Sequence, residues 1–157
     1  MSPKQSPSTR VVAVNRRARF DYFIDETMEA GIALVGTEVK GLRLGRANLR
    51  DSYAGNMEGE LYLINAHIGH YPPANQWNHE EKRPRKLLVK KRERDRLFGL
   101  IQRERVTIVP LQLYFNDRGI AKVELGVARG KKKHDKRETE KQRDWNRQRH
   151  RLLRERG

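Results

Sequence analysis

The side chains best suited to chemistry sit close together in the middle of the chain. His67-Ile68-Gly69-His70 matches a string that, in nucleotide-binding folds, opens a helix after a parallel strand and holds ATP. Here it ends an antiparallel run and leads into Tyr71-Pro72-Pro73, so the context that the motif needs is missing. His67, His70 and His79 are also possible metal ligands, but no cysteine supports them and their spacing fits no zinc pattern. They read as solvated loop histidines. There is no phosphate-cradling Gly-rich loop, and the carboxylates are too scattered to pair for acid–base work. Catalysis and cofactor binding therefore have almost no residues to stand on, and the expectation is no enzyme, no cofactor and no metal.

The chemistry that does stand out is charge. Residues 129–157 hold thirteen Lys or Arg against five Asp or Glu, a net of +8 out of +15 for the chain, and only Trp145, Leu152 and Leu153 are apolar. Such a segment cannot bury enough surface to offset its ordering entropy. It is predicted to be disordered when free, with a polyanion as partner. The remaining 128 residues are basic as well, and the pI near 10.5 suits a nucleic-acid-binding domain. Two roles are open to Trp145, Leu152 and Leu153. They can dock on the body, though thirteen cations would come with them, or line one side of a helix that forms on RNA, where counterion release removes the repulsion.

Composition sets outer limits. The length of 157 residues fits one domain with extensions. The absence of cysteine excludes disulfides and suits a reducing compartment. Residues 1–10 have no apolar stretch and read as a disordered start, not a signal peptide. No run reaches the roughly 20 apolar residues of a membrane span. A cytoplasmic protein is expected.

The elements that must position these charges are short. Val11–Val14 reads as a strand, 15–19 as a basic connector, and Phe20–Val35 as a strand-like run interrupted at Gly31. A short helix follows, with Thr37 as N-cap, Glu38 favourably placed in its first turn, and Gly45 just past its end. Asn48–Asn56 and Leu61–Ile68 read as two strands turned by residues 57–60. A polar loop spans 69–85, a brief strand 86–89, and an amphipathic helix 90–104. The basic residues from Lys82 to Arg105, Arg94 among them, are either solvated helix charges or, taken together, part of an electrostatic footprint. Val106–Phe115 and Ile120–Ala128 form the clearest hairpin, with Val109, Leu111, Leu113 and Phe115 on one face and Pro110 at an edge or a bulge. About six antiparallel strands with two helices would curl into a small barrel. The divisions are a disordered 1–10, a body over 11–128 and a basic tail over 129–157.

Several segments then carry a resemblance. NRRARFDYFI (15–24), EAGIALVGTEVKGLR (29–43), NLRDSYA (48–54), RKLLVKKRE (85–93) and GVARGKKKHDKRE (126–138) closely resemble the SsrA-binding protein family, in the family's order and spacing, from about Asn15 to the C-terminus. The resemblance implies an oligonucleotide-binding-like (OB-like) antiparallel β-barrel with two or three flanking helices. It implies an RNA-binding adaptor for the tRNA-like domain of transfer-messenger RNA (tmRNA). Such an adaptor acts beside elongation factor Tu, promotes alanyl-tRNA synthetase charging of that RNA, and delivers it to stalled ribosomes for trans-translation. It works as a monomer away from membranes, with its tail folding as a helix in the empty mRNA channel of the small subunit.

Residue by residue, Asn15, Glu29 and Leu88 match the family's RNA surface, with Arg16, Arg17 and Lys86 beside them. Asn15 can donate and accept toward base edges, and Glu29 can accept from base amino groups or a 2′-OH or simply buffer local repulsion. Leu88 either packs on an unstacked base or belongs to the core. His134, Asp135, Lys136 and Arg137 match the tail-entry motif at the decoding centre, and Trp145, Leu152 and Leu153 match the apolar positions of the tail helix. Phe20 departs from the pattern, standing where relatives often carry His. The other reading of the chain is a different ribosome-associated barrel, such as an assembly or initiation factor.

Overall fold

The computed structural model describes residues 10–130, 145–149 and 151. In chain order, the body runs β1 (Arg10–Val14), α1 (Ala18–Asp21), β2 (Tyr22–Ile32), α2 (Gly36–Arg43), β3 (Ala47–Asn48), β4 (Tyr53–Met57), β5 (Glu60–Ile64) and β6 (His67–Ile68). A 3-10 segment (Pro72–Trp77), β7 (Arg85–Leu88), α3 (Lys91–Glu104), β8 (Thr107–Phe115) and β9 (Ala121–Gly130) complete it. Strands β8-β4-β5-β7-β2-β9 pair in that order, and β9 pairs back with β8, so six antiparallel strands close on themselves. Closure leaves the ring without an unpaired edge. The expected small barrel is present, with β1 laid outside it along the second half of β8.

Two tight turns follow from local chemistry. Glu58 and Gly59 both have positive φ (54° and 81°), the pairing that a two-residue hairpin between β4 and β5 requires. Gly45 (φ 76°) ends α2 as expected, in the left-handed conformation that glycine adopts without steric cost.

The main core gathers Ile32, Leu61, Leu63, Leu87, Ile108, Leu113, Val123 and Leu125 from the strands with Leu42 of α2, Leu97 of α3 and Leu49. The expected single face of Val109, Leu111, Leu113 and Phe115 is wrong. A bulge between Pro110 and Gln112, at the proline anticipated to sit in one, adds a residue and reverses the alternation. Leu113 and Phe115 therefore join the main core. Val109 and Leu111 instead pack with Ala18 and Ala128 in a small second core on the other side of the sheet.

That second core also accounts for α1, which falls where a connector and then a strand were expected. Ala18 is buried there, and Arg17 and Asp21 pair at 3.6 Å across the helical turn. β2 runs unbroken through Gly31. The two long strands expected over 48–56 and 61–68 are each split. Asp51 and Asn65 have positive φ, and the short ends pair separately as β3 with β6. The body thus has nine strands where the residue pattern suggested about six, and three helices, within the two or three implied by the resemblance.

Candidate nucleic-acid interface

β1, β8, β9, β2 and β7 lie side by side, and their register aligns two rows across the outer face. One row runs Val14–Gln112–Glu124–Glu29. The next runs Val11–Tyr114–Lys122–Gly31–Leu88. Four inter-strand steps of ~4.8 Å make the second row about 19 Å long. Gly31 suits it, because a Cβ there would lie 3.2 Å from the Leu88 Cβ, tighter than ordinary contact; the bare backbone gives Leu88 room to lie across the strand.

Leu88 is 52% exposed, so of its two readings the core role is excluded. With Glu29 and Lys86 it lines an open cleft of about 610 Å³, together with Lys90, Lys91 and Lys122. Lys90 and Lys91 belong to the basic set over 82–105 read from sequence, whereas Lys122 was not singled out; its outward alternation between Ala121 and Val123 was the available signal. Glu29 faces Glu124 across the ladder and accepts a hydrogen bond from the Tyr114 hydroxyl. Burial, and then that bond, push the Tyr114 hydroxyl up, so it stays protonated and donates. Glu29 is thereby held in place with carboxylate acceptor capacity remaining toward solvent.

Asn15 sits beyond the other end of the face, next to Val14. Its amide N–H donates to the Leu111 carbonyl (2.8 Å) and its Nδ2 to the Pro110 carbonyl (2.9 Å). The backbone N–H and one side-chain N–H are thus spent on the β8 bulge, and Oδ1 remains as the side-chain acceptor. Asn15 and Arg17 line a second cleft of about 220 Å³ with Asp51 and Tyr53. The Arg17 guanidinium lies 5.1 Å from the centre of the Phe20 ring, and Arg16 is exposed. The predicted residues therefore form two groups at opposite ends of one sheet face. Trp145 is 59% exposed in a helical stretch, 145–149. His134, Asp135, Lys136, Arg137, Leu152 and Leu153, and the expected disordered start apart from Arg10, lie outside the described residues.

Several basic residues expected to contribute to the footprint are tied internally. Arg94 bonds Glu60 (3.1 Å) and Arg96 bonds Glu26 (2.8 Å). Arg83 and Arg85 converge on Glu38. The buried Glu38 carboxylate accepts from Arg83 Nη2 (2.6 Å) and Nε (3.2 Å), Arg85 Nε (2.6 Å) and the Val35 amide (2.9 Å). Arg85, fully buried, also donates to the carbonyls of Ala66 (2.7 Å) and Glu81 (3.0 Å). Burial alone would push the Glu38 carboxyl up, but the Arg83 bonds, the Val35 amide and Arg85 outweigh it and hold it below its ordinary 4.5. Glu38 therefore fastens α2 to the barrel, and the N-cap is Val35, not Thr37.

The Thr37 hydroxyl instead bonds His79 Nδ1 (2.9 Å), whose Nε2 meets the Ile68 carbonyl (2.8 Å). His79 is 8% exposed, which corrects its reading as a solvated loop residue. His67 bonds Glu81 (2.5 Å), so it too has a structural partner. Among the described residues no cluster of three or more His, Cys, Asp or Glu could hold a metal, and no helix is long and apolar enough to cross a membrane.

The model of the SmpB protein family matches residues 12–155. An SsrA-binding protein of Brucella canis is 59% identical over 99% of this chain and 98% of its own length, and that of Brucella ovis is 58% identical over the same shares. A chain in a solved structure of tmRNA-SmpB, described as a journey to the center of the bacterial ribosome, is 53% identical. It superposes with a TM-score of 0.64, covering 76% of this chain and 84% of its own. With its closed barrel and with a match that runs nearly end to end, the chain belongs to the SmpB family of SsrA-binding proteins.

Proposed function

We propose that this protein is an RNA-binding adaptor, not a catalyst. It binds the tRNA-like domain of tmRNA and delivers it to stalled ribosomes in the bacterial cytoplasm for tagging of the nascent peptide. The observation that carries this is identity of 59% over 99% of the chain with an SsrA-binding protein. The outer sheet face supports the division of labour. Glu29 and Leu88 with Lys86 offer an acceptor, an apolar contact and a phosphate partner at one end, and Asn15 with Arg16 and Arg17 at the other. Phosphate contacts position the RNA, and the acceptors read base edges and 2′-hydroxyls.

Residues 129–157 serve the small subunit. His134, Asp135, Lys136 and Arg137 meet the decoding centre, and Trp145, Leu152 and Leu153 pack a helix in the mRNA channel. Elongation factor Tu and alanyl-tRNA synthetase are engaged indirectly, through the RNA. The test is a gel-shift titration with the tRNA-like domain, in parallel with a tagging assay on stalled ribosomes. Binding is expected to survive competition by bulk tRNA, and truncation after Gly130 to leave binding nearly intact while abolishing tagging. Indifference between the RNAs, or loss of binding on truncation, refutes the proposal.

A further inference from the structure

Trp77 has no part in the face described above. At 78% exposure it is the most exposed large hydrophobic side chain among the described residues. It lines a cleft of about 500 Å³ with Val35, Gly36, Thr37, Lys40, Asn78, His79 and Arg83, and shares no lining residue with the clefts of Glu29 or Asn15. That volume lies in the range of small-molecule sites.

The loop that presents Trp77 is clipped at its base. The Tyr71 amide donates to Asn78 Oδ1 (2.7 Å), and Asn78 Nδ2 donates back to the Tyr71 carbonyl (2.9 Å) and to that of Asn75 (2.9 Å). The neighbouring His79 is fixed between Thr37 and Ile68. Asn75 is held at φ 47°, ψ −120°, a costly conformation for a non-glycine residue that persists only where its surroundings enforce it. The aromatic ring is thus carried into solvent on backbone that needs no ordering when something binds.

The cleft's charge selects the occupant. None of its lining residues is a carboxylate, because Glu38 turns inward to Arg83 and Arg85. Lys40 stands over the Tyr71 ring at 5.2 Å. α2 starts at Gly36, and the Glu38 and Val39 amides bond the Val35 carbonyl (3.0 and 3.2 Å), so the helix-start donors left over are the amides of Gly36 and Thr37, two residues that line the cleft. An exposed indole beside a lysine and helix-start donors is a stacking platform with a phosphate site.

We propose that Trp77 and Lys40 form a second RNA contact, taking an unpaired nucleotide with its base on Trp77 and its phosphate at Lys40. A blunt duplex has no unstacked base to offer and should bind here poorly.

The chain has two tryptophans, so full-length protein carrying Trp145→Phe reports on Trp77 alone. The expected result is saturable quenching by a single-stranded RNA octamer, at least about tenfold weaker quenching by blunt duplex RNA, and none by polyvinyl sulfate at equal charge. Since stacking one base contributes ~1–3 kcal/mol, Trp77→Ala should weaken octamer binding about tenfold while Trp77→Phe largely restores it. Lys40→Ala should lower the salt slope by about one. Equal quenching by the duplex or the sulfate polymer, or octamer affinity unchanged in Trp77→Ala, overturns the proposal. Leu88→Asp impairs the tmRNA face only, so a quenching signal that persists in that variant keeps the two sites distinguishable.

Discussion

Replacing Glu38 by alanine should damage the fold more than any change on the outer sheet face. Glu38 and Arg85 are both fully buried and 2.6 Å apart, and Arg83 completes the cluster. Alanine removes the acceptor of four hydrogen bonds and leaves the Arg85 charge in the interior with only carbonyl partners. Breaking a buried pair from one side costs ~3–5 kcal/mol, and loss of the Val35 amide bond at the start of α2 adds to it. At this size each kcal/mol lowers Tm by roughly 2–4 °C, so a drop of about 10 °C is expected in thermal denaturation followed by circular dichroism. Glu38→Leu combined with Arg85→Met should lose less than Glu38→Ala, because no charge is stranded. A Glu38→Ala loss under about 1 kcal/mol, the range of exposed pairs, would refute the reasoning, as would a double variant worse than the sum of its singles.

The same carboxylate gives a pH dependence. Its folded pKa lies below its unfolded one, so its contribution is complete above the unfolded value and is lost as pH falls through the folded one; Glu38→Gln should flatten the acid limb of a stability-against-pH curve. Leu88→Asp, at an exposed position, should leave Tm within ~2 °C, since surface changes stay within about 0.5 kcal/mol. It should also weaken binding of the tRNA-like domain about tenfold or more in a gel shift. Gly41→Ala should destabilise measurably in urea, by ~1–3 kcal/mol, because its Cβ would sit 2.4 Å from the Gly69 carbonyl oxygen.

The sequence carried the barrel's outline because its signals are local. The alternation of Val123, Leu125 and Val127, the turn before Gly119, the Gly45 stop and the Pro110 bulge each act over a few residues. The consequence of the bulge did not show, since one inserted residue reverses every side chain beyond it. Nor did the Glu38 cluster. A glutamate in a first helical turn has a sufficient surface explanation, and nothing adjacent marks Arg83 and Arg85, 45 and 47 residues away, as its partners. His79 was misread for the same reason, because a polar loop is a fair reading of its neighbours and only the fold brings Thr37 to it. At the candidate site, Glu29 and Leu88 come together through the β2–β7 and β2–β9 registers, which no local pattern encodes.

The position of β9 has a mechanical side. It lies between β2 and β8 along most of its length and ends at Gly130, where residues 131–157 begin. A pull on that segment along the strand axis cannot peel β9 away one bond at a time. It loads both ladders in parallel, in shear, so many hydrogen bonds must yield together. Force arriving through residues 131–157 would then be borne by the whole barrel, and the RNA contact proposed for the sheet face would be insulated from the movements of whatever holds that segment.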